Sequence, residues 1–315
     1  MRGDKTYLRK FRYAVQFVFL VLSAMTGYLF YIYVLQLESP GGPLLRRPPS
    51  VDAFLPIAGL MSFKYFLFTG IIEPFRPSVF IMFVAIVVVS VSLKKGFCGW
   101  ICPIGTVSQY FWMAGKKVIG KNYRIQKYAD IALRSIKYML MAFFIFAIWA
   151  RMSPEQLELF FNSDYYRTAD IRTMKFFTEM SGTTFWSLCL IGGFSVVYKN
   201  FWCRYLCPYG GLLGLLSYFS PAKIKREEEK CTHCGACSRN CPSLLPVEEK
   251  EVVNSPECFG CLTCVSHCPS AGALDITVKT GRTRKVFNPY IYPLALVLIF
   301  YLVIVAGILS GHWYG

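Results

Sequence analysis

The chain has 315 residues, enough for two ordinary domains, but 55% of them are hydrophobic and they fall in long blocks. A globular core is excluded as their explanation, because too little amphipathic sequence remains to cover them. The net charge of +16 would allow nucleic-acid binding. No basic and aromatic groove pattern accompanies it, so we expect no nucleic-acid partner.

Five apolar segments predict membrane-spanning helices. A helix needs about 20 mainly apolar residues to cross the hydrocarbon core. Four blocks reach or approach that length, and a fifth is shorter but uncharged. In chain order the five segments are Tyr13–Leu37, Ser78–Leu93, Ala129–Ala150, Thr183–Tyr198 (continuing to Trp202) and Pro289–Leu309. The long first block after a basic N-terminus indicates an uncleaved anchor rather than a signal peptide.

The distribution of Lys and Arg predicts the orientation. With the N-terminus inside, residues 1–12, 94–137 and 199–285 are cytoplasmic, and they hold 26 of the 34 basic residues. This positive-inside bias predicts a multi-pass protein of the bacterial inner membrane with its soluble part in the cytoplasm. If the apolar stretch Ala53–Ile72 also crossed the membrane, the basic residues of 94–137 would lie outside. We therefore expect this stretch to be an interfacial or re-entrant segment on the outer side.

A CxxxCP element follows the second span and recurs after the fourth. Its cysteines are Cys98, Cys102, Cys203 and Cys207. A spacing of four places two thiols on one helical face, and proline suits the first turn of a new helix. If the two halves pack pseudo-symmetrically, four thiols meet at the membrane surface. They could ligate a third metal or iron–sulfur centre, form a dithiol relay or bind copper; the alternative is four structural cysteines.

Eight further cysteines form two copies of C-x2-C-x2-C-x3-C-P between the fourth and fifth spans. In this pattern three cysteines hold one cluster and the fourth ligates the other. We predict one [4Fe–4S] cluster on Cys231, Cys234, Cys237 and Cys268, and a second on Cys258, Cys261, Cys264 and Cys241. Zinc is disfavoured, because zinc sites typically use two separated cysteine pairs. Residues 228–275 resemble the bacterial two-cluster ferredoxins.

The predicted fold is a mainly α membrane protein with about five transmembrane helices and an inserted small α+β two-cluster ferredoxin domain. The expected domains are residues 1–227 with four spans, residues 228–280 with the clusters, and residues 281–315 with the last span. Cys189, within the fourth span, is expected to be a packing residue. The sequence has no intramembrane histidine pair, no CxxCH and no nucleotide-binding glycine motif. Its electron partner in the membrane is therefore expected to be quinone.

The basic N-terminus, the Arg47-Pro48-Pro49-Ser50-Val51 loop, the CxxxCP repeats and the two-cluster module together resemble the NapH type (NapH/MauN-like). These are membrane quinol-dehydrogenase subunits, and their cysteine motifs are shared with NosR-type and FixG/CcoG-type proteins. The NapH type usually has four spans, whereas here an apolar segment follows the module. The resemblance implies quinol oxidation or quinone reduction coupled to iron–sulfur electron transfer. It also implies iron–sulfur or cytochrome partner subunits in a larger complex.

Three charged residues of the outer segment 53–77 are candidates for quinone binding. Lys64, Glu73 and Arg76 could bond a quinone head group or move its protons. The alternative is that they are interfacial charges that reach the lipid headgroups. Two other functions also stay open: a cupric or other metal reductase of the FixG/CcoG type, and a redox-sensing assembly factor that catalyses no reaction.

Overall fold

The computed structural model describes residues 5–37, 39, 42, 45–280 and 283–314. Most of this chain is helical. The α-helices, α1 to α14 in chain order, are Lys5–Leu37, Pro56–Thr69, Pro77–Ser92, Gly96–Trp100, Pro103–Ile119, Lys127–Arg151, Pro154–Phe161, Asp164–Arg167, Ala169–Thr178, Gly182–Val197, Pro208–Leu216, Ala236–Arg239, Thr263–Ser266 and Ile291–Leu309. A π-helical turn covers Trp202–Leu206, and short 3-10 turns cover Pro49–Phe54, Ser217–Phe219, Glu228–Lys230 and Val247–Glu249.

Each of the five predicted spans coincides with a helix. Among the described residues, three helices are long and apolar enough to cross a membrane: α1 from Tyr7, α6 and α14. A fourth span results if α9 and α10, which meet at a bend of 78°, count as one broken span. Helix α3 is apolar but has only 16 residues. The prediction of a mainly α membrane protein with a small α+β insertion is confirmed.

Helix α2 occupies the stretch that was expected to be interfacial or re-entrant. It has 14 residues, from Pro56 to Thr69, and is followed by Gly70, whose φ of 72° is left-handed. At 1.5 Å per residue it rises about 21 Å, which is less than the hydrocarbon thickness of about 30 Å. The helix is therefore too short to cross by itself.

Internal contacts divide the chain into two compact units. Unit 1 comprises Met1–Leu20, Val87–Met139 and Ile191–Ile299. Unit 2 comprises Val21–Ile86, Leu140–Leu190 and Phe300–Gly315.

Unit 1 contains a four-stranded antiparallel sheet. Its strands in chain order, β1 to β4, are Ala222–Arg226, Val252–Val253, Leu274–Thr280 and Thr283–Val286. The spatial order is β2-β1-β3-β4, and the buried Ile224 of β1 lies opposite the buried Ile276 of β3. The sheet thus begins at Ala222, ahead of the boundary at 228 that the sequence predicts. The domain division itself stays a prediction.

A buried ion network ties together the loop segments of unit 2. The guanidinium of Arg47 donates to Asp170 at 2.7 Å, and that of Arg76 donates to the other oxygen of the same carboxylate at 2.7 Å. Arg47 also pairs with Asp52, which accepts a hydrogen bond from Ser78. Burial of a charge costs several kcal/mol unless a partner offsets it. The carboxylates of Asp52 and Asp170 are therefore needed to offset the cost of burying the guanidinium groups.

We predict that Asp170→Ala lowers the free energy of unfolding by about 3–5 kcal/mol, because the buried guanidinium of Arg76 and the half-buried guanidinium of Arg47 lose their shared carboxylate. Thermal unfolding in mild detergent, followed by circular dichroism, measures the loss. The matched control is Glu179→Ala, which removes an exposed pair with Lys175 at 3.7 Å and should change stability by less than about 1 kcal/mol. Equal effects of the two variants would contradict the prediction.

Candidate functional site

Two cavities in unit 1 are each lined by four cysteines. The first has a volume of about 340 Å³ and contains Cys231, Cys234, Cys237 and Cys268 in its lining. The second has a volume of about 350 Å³ and contains Cys241, Cys258, Cys261 and Cys264. These are the two predicted sets, with the fourth cysteine of each run contributed to the other cavity.

The two cysteine loops follow the same backbone path. In the first loop the left-handed residues are His233 (φ 49°) and Gly235 (φ 68°), and in the second they are Gly260 (φ 60°) and Leu262 (φ 54°). These positions lie two and four residues after the first cysteine of each run. A non-glycine residue with positive φ is strained, and strain at a matched position marks a constraint on the loop. Here the constraint is the wrapping of three cysteines around one cavity.

The structure brings the four CxxxCP thiols together in unit 1. Cys98, Cys102, Cys203 and Cys207 interact electrostatically with one another. Burial raises the pKa of Cys102 to about 11 and raises the pKa values of Cys98 and Cys203 well above the usual range. Cys207 accepts a hydrogen bond from the backbone N–H of Gly210 at 3.2 Å. Buried thiols of high pKa become thiolates when a metal displaces their protons.

The second repeat is fixed by a carboxylate that sequence analysis missed. Arg204, between Cys203 and Cys207, donates to Asp130 of α6 at 2.9 and 2.8 Å. Tyr205 donates to the same carboxylate at 2.6 Å. The available signal was the single acidic residue of the predicted span Ala129–Ala150, together with an arginine inside the motif.

Buried positive charge gathers beside the four thiols. Lys95 is 1% exposed, and its ammonium group has no hydrogen-bond partner within the described part of the chain. It lies 4.9 Å from the centre of the Phe259 ring and interacts electrostatically with Cys98 and Cys102. The carboxylate of Glu257 also interacts electrostatically with this ammonium group. Thiolates formed at this site, for example on binding a cluster, would lie beside the same positive charge.

A second buried cation is paired with a carboxylate next to the second cysteine run. Lys137 donates to both oxygens of Glu257, at 2.8 and 2.6 Å, and Tyr138 donates to the same carboxylate at 2.7 Å. Burial alone would raise the pKa of Glu257, but the ammonium groups of Lys95 and Lys137 bring it below its usual value. Glu257 therefore anchors the residue before Cys258 to helix α6.

The four-thiol site and the second cavity share a wall. Trp100, between Cys98 and Cys102, donates its indole N–H to the carbonyl oxygen of Gly260 at 3.1 Å. A Cβ atom added to Gly99 would lie 2.8 Å from the carbonyl oxygen of Phe259. Glycine is thus required for this close approach of the first repeat to the second cysteine loop.

The donor type suits iron–sulfur clusters. Each of the two cavities has four cysteines in its lining, and the CxxxCP repeats bring four more thiols together. Cysteine thiolates are the ligands of [4Fe–4S] clusters. Within the described ranges, no three or more histidine, cysteine or acidic side chains form a group that could hold a single metal ion.

The three residues predicted for quinone binding have internal partners in unit 2. Lys64 is buried, and its ammonium group donates to backbone carbonyls at the C-terminal end of α6, including that of Ile148 at 3.0 Å. Glu73 accepts hydrogen bonds from the backbone N–H of Arg76 and from the hydroxyl of Tyr166 at 3.1 Å. Burial raises the pKa of Glu73. The quinone role of these residues stays a prediction.

Two family models match the cysteine-containing segments. Residues 75–122 and 182–227, which include the CxxxCP repeats, match a model described as a 4Fe-4S binding domain. Residues 223–269 match a model described as a 4Fe-4S dicluster domain. No solved structure matches the chain.

Three similar proteins come from different organisms. The chain is 36% identical over 306 residues to "Putative electron transport protein YccM" of Escherichia coli K12, covering 96% of this chain and 85% of that protein. It is 30% identical over 191 residues to the uncharacterized protein MJ0749 of Methanocaldococcus jannaschii, covering 60% and 67%. It is 24% identical over 193 residues to the ferredoxin-type protein NapH of Haemophilus influenzae, covering 56% and 60%.

The apolar helices, the cysteine cavities and the family models together define a 4Fe–4S protein with membrane-spanning helices, of the ferredoxin-type electron transport class. The chain belongs to the family that includes the Escherichia coli protein above, and the predicted resemblance to the NapH type is confirmed.

We predict that Glu257→Ala lowers the free energy of unfolding of unit 1 by about 3 kcal/mol or more, because Lys137 is left buried without its carboxylate. The measurement is the urea midpoint for loss of the visible iron–sulfur absorbance, which should fall by roughly 1–3 M. Glu251→Ala is the matched control, since the Glu251 carboxylate is 71% exposed and 3.9 Å from Lys225. An unchanged midpoint in Glu257→Ala would refute the anchoring role.

Proposed function

We propose that the chain is the membrane-bound electron-transfer subunit of a quinol/quinone oxidoreductase complex. Two [4Fe–4S] clusters would be held by Cys231, Cys234, Cys237 and Cys268, and by Cys258, Cys261, Cys264 and Cys241. A third centre would be held by Cys98, Cys102, Cys203 and Cys207. When bound, each cluster supplies one-electron transfer. The observation that carries the proposal is the continuity of the three cysteine sites within unit 1.

The continuity has two links. The first repeat touches the second cysteine loop through Trp100 and Gly260. The second cavity is in turn joined to the first by the exchanged cysteines, Cys241 and Cys268. Electrons can therefore pass from the four-thiol site through the second cavity to the first without leaving buried protein.

The proposed exit is the first cavity. Cys234 is exposed, whereas the four-thiol site is buried or half-buried. A partner iron–sulfur or cytochrome subunit would approach this cavity. The positive-inside bias supports a location in the bacterial inner membrane with this face in the cytoplasm.

A cupric reductase is the second candidate. The observation that favours it is the set of four soft thiols in a buried site, a donor type that selects Cu(I) as well as iron–sulfur clusters. The buried Lys95 suits either occupant, because Cu(I) held by two or more thiolates and a [4Fe–4S] cluster held by four thiolates are both anionic.

The test uses the purified protein in mild detergent without oxygen. Menadiol or decylubiquinol is added to the oxidised protein, and the corresponding quinone to the reduced protein, while the iron–sulfur absorbance is followed. A rapid change in either direction is expected. No response to quinols or quinones, with fast oxidation of the reduced protein by Cu(II) that is lost in Cys98→Ser, would favour the metal reductase instead.

We predict that Cys98→Ser or Cys203→Ser removes only the third centre. If that centre is a [4Fe–4S] cluster, the iron content should fall by about one third, from about twelve to about eight atoms per chain. Iron and acid-labile sulfide analysis measures the change. Cys189→Ser is the matched control, because this cysteine is exposed in α10 and is not in the lining of the cysteine cavities. Unchanged iron in both motif variants would contradict a metal centre there.

We predict that Lys95→Met makes the reduction potential of the third centre more negative. A nearby positive charge stabilises the reduced state, which carries one more negative charge. A potentiometric titration followed by electron paramagnetic resonance measures the shift. Lys117→Met, at an exposed position of α5, should leave the potential unchanged. A positive shift or no shift in Lys95→Met would oppose an anionic centre beside Lys95.

A further inference from the structure

A third cavity of unit 1 lies beside the cluster loops and is not lined by cysteine. Its empty space, including the part open to solvent, is about 660 Å³. Its walls come from the start of α1, the helix α5, the segment after α10 and the two cysteine runs. Its lining includes Arg12, Trp112, Lys116, Lys199, Thr263 and His267.

Four lining residues are direct chain neighbours of predicted cluster ligands. Asn240 and Pro242 flank Cys241, Thr263 precedes Cys264 and His267 precedes Cys268. A molecule in this cavity would therefore lie one residue away from ligands of both cavities.

The membrane side of the cavity is formed where apolar helices begin and end. Arg12 stands at the boundary between the basic N-terminus and the apolar part of α1, and Lys199 follows the end of α10. The amphipathic helix α5 contributes Trp112 and Lys116. A molecule with a polar ring and an apolar tail can enter from such a boundary.

The polar groups of the lining favour an uncharged ligand that accepts hydrogen bonds. Arg12 is fully occupied, donating to Gly99, Thr263 and Gln109 at 3.2, 2.8 and 2.5 Å. Lys199 donates to the carbonyl of Arg239 at 3.0 Å. A phosphate would need several unoccupied cationic donors, and these two cations are already engaged.

Two donors stay available. The indole N–H of Trp112 is buried and has no hydrogen-bond partner among the described residues, although the ammonium group of Lys199 lies 5.2 Å from the centre of its ring. The ammonium group of Lys116 is on an exposed residue that lines the cavity. None of the described lining residues is acidic. One neutral and one cationic donor beside an aromatic face suit the two carbonyl oxygens and the flat ring of a quinone.

We propose that this cavity binds the quinone head group, with Trp112 and Lys116 as donors to its oxygens. The inference rests on the proposed function. Oxidation of one quinol breaks its two O–H bonds, releases two protons to water at the open side of the cavity and yields two electrons, one for each of two one-electron centres. Quinone reduction is the same balance in reverse.

The experiment measures binding of menadione to the oxidised, cluster-containing protein by isothermal titration calorimetry. Trp112→Leu should weaken binding by about tenfold or more, through loss of the donor and the ring face. Lys116→Gln should weaken it several-fold, and Lys117→Gln, the exposed neighbour outside the lining, should bind like the parent. Unchanged iron content and unchanged reduction by dithionite show that each variant is intact. Because Lys116 is exposed, its substitution tests the cavity even if Trp112→Leu disturbs folding.

The outcomes separate the inference from the proposed function. Normal menadione binding and normal reduction by menadiol in both cavity variants would overturn the inference and leave the function intact, with the segment of Lys64, Glu73 and Arg76 as the competing location. Absence of menadione binding and of menadiol response in the parent protein would overturn both. The amount of phosphatidylglycerol that co-purifies with each variant is measured as well. If the two cavity variants retain less of this lipid than the parent but bind menadione normally, the cavity is a lipid site and the inference is overturned.

Discussion

Unit 1 depends on the neutralisation of charge that its cysteines acquire when they bind metal. Lys94 and Lys95 are adjacent in sequence, and both are 1% exposed. Lys95 interacts with the four-thiol set, whereas Lys94 interacts with Cys258 of the second cavity. Burial lowers the pKa of Lys94, and the nearby thiol opposes that change. Two neighbouring residues thus supply positive charge to two different cysteine sites.

The backbone turns sharply ahead of each CxxxCP element. Lys94 has a φ of 58°, and Asn200, at the corresponding junction of the second half, has a φ of 51°. Both residues turn the chain sharply between an apolar helix and a CxxxCP element. Tyr292 donates to the carbonyl oxygen of Leu93 at 2.6 Å and thereby fixes the first of these turns. Such a turn ends the apolar helix before the CxxxCP element begins.

The parts of the molecule that were predictable are those whose signal is local. Apolar block length located the helices, and cysteine spacing identified the sets that line the two cavities, because spacing reflects the geometry of one short loop. Pairings across long stretches of sequence were not predictable. Asp130 binds Arg204 across 74 positions, and Lys64 binds a helix end across 84. Nothing in the sequence near Lys64 distinguishes a helix-capping cation from a ligand-binding one.

The N-terminal end of the chain completes a site that is mostly encoded much later. Arg12 donates to Thr263, 251 positions away, and Tyr292 reaches Leu93 across 199. Contacts of such separation form late, because closing a long loop has an entropic cost. The cysteine sites cannot be enclosed before residue 292 has been synthesised. For a cell this imposes an order on biogenesis: the first helix enters the bilayer early, and the clusters are enclosed only after residue 292 has been synthesised.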